Sequence, residues 1–274
     1  MKGTLETGSG GRPVVERLPR RLRRPPLIEA LWEARFRPRD TAVADLLPGL
    51  LFQHFAPQYS RLQRLPAADV PISAAHEDAR FRHTPRLRLE GERRSIQIGP
   101  RVVSISFRRP YPGWAAFSSE IGKLVDALGS CDLVGDVTRF SLKYTNLLQS
   151  GDAPSLELLD LELTMGGRRI DHQPVQLRTE VVSDSIVHVV QIAAPVEVLL
   201  PGEAQRIRGL LVDTDSIRSY DAHTGQWSRV LADLDEVHTA AKEVFFRLLR
   251  EDTLTALEPE YGGDDDERQP PPGK

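Results

Sequence analysis

The sequence predicts an α+β fold, mixed or antiparallel sheets with helices packed on one face, in two closely packed subdomains. Three observations carry this. Apolar residues recur with period two in run after run, as they do in half-buried strands. Two helical stripes stand among the strands of the first half. The second half holds strands alone until one closing helix, which implies an antiparallel sheet with that helix on one face. Residues 26–149 thus read β-α-β-β-β-α-β, a run built on two split βαβ units. Residues 150–257 read β-β-β-β-α.

Leu27 to Arg37 alternates: Ile28, Ala30, Trp32, Ala34 and Phe36 share one face, and Glu29, Glu33 and Arg35 the other. Pro38 ends this strand. Asp45 to Tyr59 reads as a helix with Pro48 in its first turn and Leu47, Leu50, Leu51 and Phe55 as its stripe. A short strand is expected near Val70–Ser73. Arg80 to Leu89 alternates again, with Phe81, Leu87 and Leu89 opposite Arg80, Arg82, Arg86 and Arg88; Pro85 marks an edge or a bulge. Glu90-Gly91-Glu92-Arg93 turns the chain and Ser95–Ile98 runs back. Gly99-Pro100 kinks it before Val103, Ile105 and Phe107.

Trp114 to Leu128 is a helix whose stripe is Trp114, Phe117, Ile121, Leu124, Val125 and Leu128. Val137 to Leu148 is a strand with Phe140, Leu142 and Tyr144 inward and Arg139, Ser141, Lys143 and Thr145 outward. A Gly/Asp/Pro connection covers residues 149–155. Strands follow at Leu156–Thr164, Val175–Val182, Ile186–Val198 and Arg206–Ser219, then a helix from Leu231 to about Leu249.

The formal net charge of −3 hides an asymmetry. Residues 1–24 carry a net of +5 and residues 258–274 a net of −4. Residues 1–25 read as a disordered basic leader and 258–274 as a disordered acidic tail. The single Cys131 excludes an intrachain disulfide and a multi-cysteine zinc site, and suits a reducing compartment. No signal peptide and no apolar run of about 20 residues is visible, so a cytoplasmic protein without a membrane span is expected.

Pro26-Leu27-Ile28-Glu29-Ala30 leads into an Arg-Phe strand end. Ile98-Gly99-Pro100 precedes Val103-Ser104-Ile105, and Pro110-Tyr111-Pro112-Gly113-Trp114 opens a helix. Thr138-Arg139-Phe140-Ser141-Leu142-Lys143-Tyr144-Thr145-Asn146 follows, and Leu234-Asp235-Glu236-Val237-His238 stands ahead of Phe245-Phe246. This order and spacing resembles an uncharacterised, sporadically distributed prokaryotic protein family with no agreed activity, over about residues 25–257. The Tyr-Pro-Gly-Trp element is the most specific part. The resemblance implies a compact α+β protein of bacteria or archaea and brings no catalytic residues. Its sporadic distribution points to an accessory role, in defence or with mobile elements.

One surface pattern looks arranged for a partner. Arg80, Arg82, Arg86 and Arg88 alternate along a strand, Arg93, Arg94 and Arg101 lie across or beyond the hairpin, and Arg108, Arg109, Tyr111 and Trp114 follow. Guanidinium groups in a row suit phosphates, and the aromatics suit stacking on bases. The competing reading is an edge hairpin blunted by charge. Arg outnumbers Lys about sixfold, so the number of arginines carries no weight by itself.

Glu29, Glu33, Arg139 and Lys143 form a second patch if the first and last strands of this half are neighbours. Paired carboxylates do acid–base work when their environments separate their pKa values; cross-strand ion pairing is the other reading. Asp213 and Asp215, with Asp221 and His223 downstream, have oxygen-rich spacing suited to magnesium or calcium, against turn and cap roles. His188 reads as a hydrogen-bonded core histidine and His238 as structural. Cys131 has no positive helper in sequence and is not read as a nucleophile. No P-loop, dinucleotide fingerprint, His-Glu-x-x-His or Gly-x-Ser-x-Gly occurs.

The expectation is a non-catalytic binding or regulatory protein, without metal or cofactor, whose basic hairpin meets nucleic acid or an acidic protein. The alternatives are an enzyme using the Glu29, Glu33, Arg139 and Lys143 patch, and a subunit of a larger assembly, a homo-oligomer included, joined through an exposed sheet edge.

Overall fold

The computed structural model describes residues 18–149, 155–200, 203–221 and 224–262. The first half holds β1 (Arg21–Leu22), β2 (Leu27–Pro38), α1 (Val43–Phe55), β3 (Arg61–Arg64) and α2 (Ile72–Glu77). It continues with β4 (Leu87–Glu90), β5 (Arg94–Gly99), β6 (Val102–Arg108), α3 (Trp114–Gly129) and β7 (Val134–Leu148). The second half holds β8 (Thr164–Met165), β9 (Arg168–Arg169), β10 (Val175–Ser183), β11 (Ile186–Val198) and β12 (Ile207–Ser219). It closes with α4 (Trp227–Leu248), α5 (Glu251–Ala256) and β13 (Pro259–Glu260).

Nine of these strands form one sheet in the order β10-β11-β12-β7-β2-β6-β5-β4-β3, antiparallel at every pairing. The fold is α+β, as the alternation and the closing helix predict. The two halves expected to meet near residue 150 join through β7 and β12, which pair from Leu148↔Leu210 to Arg139↔Ser219. β6 and β7 flank β2 on opposite sides, so they run parallel to each other and, joined by α3, form a split βαβ unit around β2. The second such unit does not form. α1 leads instead to β3 at the far edge of the sheet.

The alternation along each strand decides which face is covered. Ala30, Trp32, Ala34 and Phe36 of β2, Val103, Ile105 and Phe107 of β6, and Phe140 and Leu142 of β7 all point to one side. There they are buried with Leu47, Leu51 and Phe55 of α1, Phe117, Ile121 and Leu124 of α3, and Val230, Leu234 and Val237 of α4. A second cluster continues on that side under β11 and β12: Val190, Ile192, Leu210 and Val212 meet Phe245 and Phe246 of α4. His188 is buried there with its Nδ1 2.8 Å from Ser216 Oγ, a satisfied core histidine as expected.

Three stretches depart from the strands expected of them. Val70 and Pro71 follow a short 3-10 turn, Pro66–Asp69, and Ile72 and Ser73 open α2. Residues 80–83 are turns and 84–86 irregular: Asp78 accepts the Arg80 amide at 2.9 Å, Phe81 and Thr84 bond back to Asp78 and Phe81, and only Arg86 reaches the neighbouring strand, its amide donating to the Ile98 carbonyl. These local bonds take up backbone groups that a ladder needs. Leu156–Leu158 is likewise a 3-10 turn, opened by Ser155 accepting the Glu157 amide; beyond it Leu159 makes a single antiparallel bridge to Leu249, and Thr164 pairs in the small hairpin of β8 with β9. β3 carries no apolar alternation and was not foreseen; it is a wholly exposed edge.

The inner ends of the two charged arms meet. β1 pairs with β13, and Arg21 and Arg23 both bond Glu260, Arg23 at 2.5 Å, while Arg24 stands 3.3 Å from Glu258. Residues 1–17 and 263–274 of the expected leader and tail lie outside the described residues. Among the described residues no helix is long and apolar enough to cross a membrane.

Candidate functional site

Since α1, α3 and α4 all pack on one face, the alternate residues of the central strands turn to the opposite one. Register fixes their neighbours. Glu33 of β2 lies beside Ser104 of β6 and Ser141 of β7, and Asp215 of β12 beside Lys143 of β7. Asp213 stands across from Thr145, and Thr145 across from Glu29. The result is a polar floor of half-buried charges.

Its ion pairs run both along and across the strands. Glu33 Oε1 accepts from Arg35 Nε at 2.9 Å and from Arg139 Nη2 at 3.2 Å. Asp213 Oδ2 forms an ion pair with Lys143 Nζ at 3.1 Å and accepts from Thr145 Oγ1 at 3.0 Å. Burial pushes the Asp215 carboxyl up, against a Ser141 hydrogen bond and the charges of Arg139 and Lys143. Asp213 Oδ1 and Asp215 Oδ1 are buried without a hydrogen-bond partner among the described residues. His83 borders the floor, held below its ordinary value by burial and by the Arg35 charge.

Glu33, Arg139 and Lys143 of the expected patch are therefore brought onto one face, with Glu29 one row away. Asp213 and Asp215, read as turn or cap residues, correct to mid-strand members of the same floor. Asp221 ends the described stretch before His223, which lies outside the described residues, and among the described residues no group of three or more His, Cys, Asp or Glu is placed to hold a metal.

The arginines of the expected hairpin are not in one row, because residues 80–86 are not a strand. Arg80 is tied to Asp78 at 2.6 Å, and Arg86 Nη2 donates to the Ala68 carbonyl at 3.1 Å. Arg82 is half-buried, with its Nε unpaired. Arg88 lies 3.7 Å from Glu90, which also accepts from Arg108 Nη2 at 2.6 Å. Arg94 turns to the helix side, where it meets Glu120 at 3.5 Å and lies over the Tyr59 ring. Tyr111 turns inward too, edge-on to Phe117, and burial pushes its hydroxyl up.

Arg93 and Arg109 remain exposed and make no ion pair among the described residues. They converge on one hollow of about 600 Å³ at the β2 end of the floor, with Glu29, Arg108, Leu199 and Glu203 in its walls. Gly113, at φ +97, turns the chain from there into α3. Sequence reasoning placed Arg35 and Ser141 on outward strand faces without counting them as site residues, and it weighed Asp213 and Asp215 only as cation ligands or turn and cap residues. The signal for Asp213 and Asp215 as floor residues was the in-out alternation of β12, which is complete in Val212-Asp213-Thr214-Asp215-Ser216.

No model of a known protein family matches this chain, and no curated protein matches it.

Proposed function

We propose that the protein is a non-catalytic binding protein whose charged sheet face receives an acidic segment of another protein. One observation carries this reading: Arg93 and Arg109 line the same hollow, free of carboxylate partners among the described residues, and Glu29 of the charged sheet face lines it with them. Unpaired guanidinium groups bind carboxylates with two parallel hydrogen bonds. A polypeptide fits better than nucleic acid. Glu29, Glu92 and Glu203 line the same hollow, and a uniform row of phosphates would meet them. A partner of mixed sequence places its acidic residues on the arginines alone.

The test is a titration of the full chain with a fluorescent Glu-rich peptide and with single-stranded DNA, across a salt series. The peptide binds, weakens with salt, and is lost in Arg93→Glu/Arg109→Glu. Tighter binding to DNA would move the partner to nucleic acid, and binding indifferent to the reversal would sink the site.

A second reading, an enzyme working from the floor, is favoured by the raised Asp215 carboxyl beside Lys143. Its support would be an activity found by substrate screening and abolished in Asp215→Asn at unchanged stability.

A further inference from the structure

The two edges of the nine-stranded sheet are built differently. β3 is four residues long and carries Arg61 and Arg64, a short, charged edge that discourages pairing. β10 is nine residues long, without proline or glycine, and pairs with β11 from Val175↔Ala194 to Ser183↔Ile186 with no bulge. From Glu180 to Ser183 every residue is exposed; Val181 and Val182 are 48% and 69% exposed. Among the described residues this is a bulge-free, β-branched edge whose two charges are of opposite sign.

The turn fixes which backbone groups it offers. Only Asp184 and Ser185 separate Ser183 from Ile186, so those two residues must exchange both of their hydrogen bonds. Alternation then directs Val181, Thr179, Leu177 and Val175 toward β11. The N–H and C=O groups of Gln176, Arg178, Glu180 and Val182 face outward.

We propose that the protein forms a two-fold dimer in which β10 pairs antiparallel with β10 of a second copy, centred on Thr179. In this register every outward residue faces an outward residue. Arg178 lies opposite the partner's Glu180, and Glu180 opposite the partner's Arg178. On the helix side Leu177 covers the partner's Val181. Arg178 and Glu180 are the only charged residues of β10, and at present they meet each other at 2.7 Å along one strand. Sliding the partner by two residues either way sets Arg opposite Arg or Glu opposite Glu. Sliding it by one sets outward groups against inward ones, and no ladder forms. The strand is therefore complementary to itself in charge, in apolar pattern and in hydrogen-bonding phase at a single register, as an isologous contact requires.

Light scattering coupled to size exclusion reads the outcome on the full chain. The expected mass is twice the 30.6 kDa of one chain. Arg178→Glu alone, or Glu180→Arg alone, sets four like charges together and weakens the dimer about tenfold or more. The double exchange Arg178→Glu/Glu180→Arg restores it, which a merely misfolded variant would not do. Glu180→Pro removes one outward N–H without touching the β11 ladder, and gives a folded monomer by circular dichroism. A wild-type mass of one chain at high micromolar concentration overturns the proposal. So does a dimer that Glu180→Pro and the single reversals leave intact.

Discussion

The indole of Trp114 and the imidazole of His238 lie face to face, ring centroids 3.8 Å apart and planes within 6°. Trp114 opens α3 and His238 sits mid-way along α4, so this stack joins the two helices above β7. Trp114 Nε1 donates to Asp235 at 2.8 Å, and His238 Nδ1 lies 2.9 Å from the Tyr144 hydroxyl. The Tyr-Pro-Gly-Trp element thus seats a helix, as its composition predicts.

That stack makes stability depend on acid. Burial, with the Lys242 charge, lowers His238 from 6.5 to about 4. The folded value lies below the unfolded one, so the unfolded chain takes up the proton first. The His238 contribution is full well above pH 6.5, falls as pH drops toward 4, and is flat below; its loss is at most about 3 kcal/mol. Burial also lowers His83 and His188, which add in the same direction. Urea unfolding at pH 7 and at pH 4.5 checks this. His238→Phe keeps a ring on Trp114 and should remove most of the difference; an unchanged pH dependence would assign it elsewhere.

The Lys143–Asp213 pair should be coupled in energy. The Asp213 side chain is only 10% exposed and the Lys143 side chain 35%. Lys143→Met leaves a desolvated carboxylate with Thr145 as its one side-chain donor among the described residues, and should cost about 2 kcal/mol. Adding Asp213→Asn removes the stranded charge, so the double variant should be more stable than the sum of the singles by about 1 kcal/mol. Chemical denaturation of the four proteins measures this, and strict additivity would mean that water screens the pair.

The strands that build the floor were legible because each has two contrasting faces. Ala30, Trp32, Ala34 and Phe36 against Glu29, Glu33 and Arg35 leaves one orientation for β2. Residues 80–86 misled because their alternation was of arginines, with Phe81 as the one apolar member, and Asp78 offered the backbone a local bond instead. What no single strand contains is its neighbour. Asp213 reads as a floor residue only once β12 lies beside β7, a pairing of residues nearly 70 apart in sequence. The meeting of Glu33 with Arg139 was likewise conditional on β2 and β7 being adjacent. The hollow at Arg93 and Arg109 depends on Leu199 and Leu200 reaching across from the end of β11, which periodicity does not encode.

Two glycine-to-alanine changes should move stability in opposite directions. Gly225 precedes α4, and its carbonyl accepts the Val137 amide at 2.8 Å. A Cβ there would stand 1.9 Å from the Val137 carbonyl oxygen, a backbone atom that cannot swing aside as a side-chain end can. Gly225→Ala must therefore part the start of α4 from β7, where Trp227 Nε1 donates to the Gly135 carbonyl at 3.0 Å, and should cost about 3 kcal/mol or more. Gly122 lies inside α3 with nothing within 4 Å of an added Cβ. There alanine lowers the entropy of the unfolded chain at no steric cost, and Gly122→Ala should stabilise by about 0.5–1 kcal/mol. Thermal unfolding of the two variants beside the parent separates the cases. Equal shifts for both would mean that the contact between Gly225 and β7 relaxes freely, and that α4 is not held to the sheet at that point.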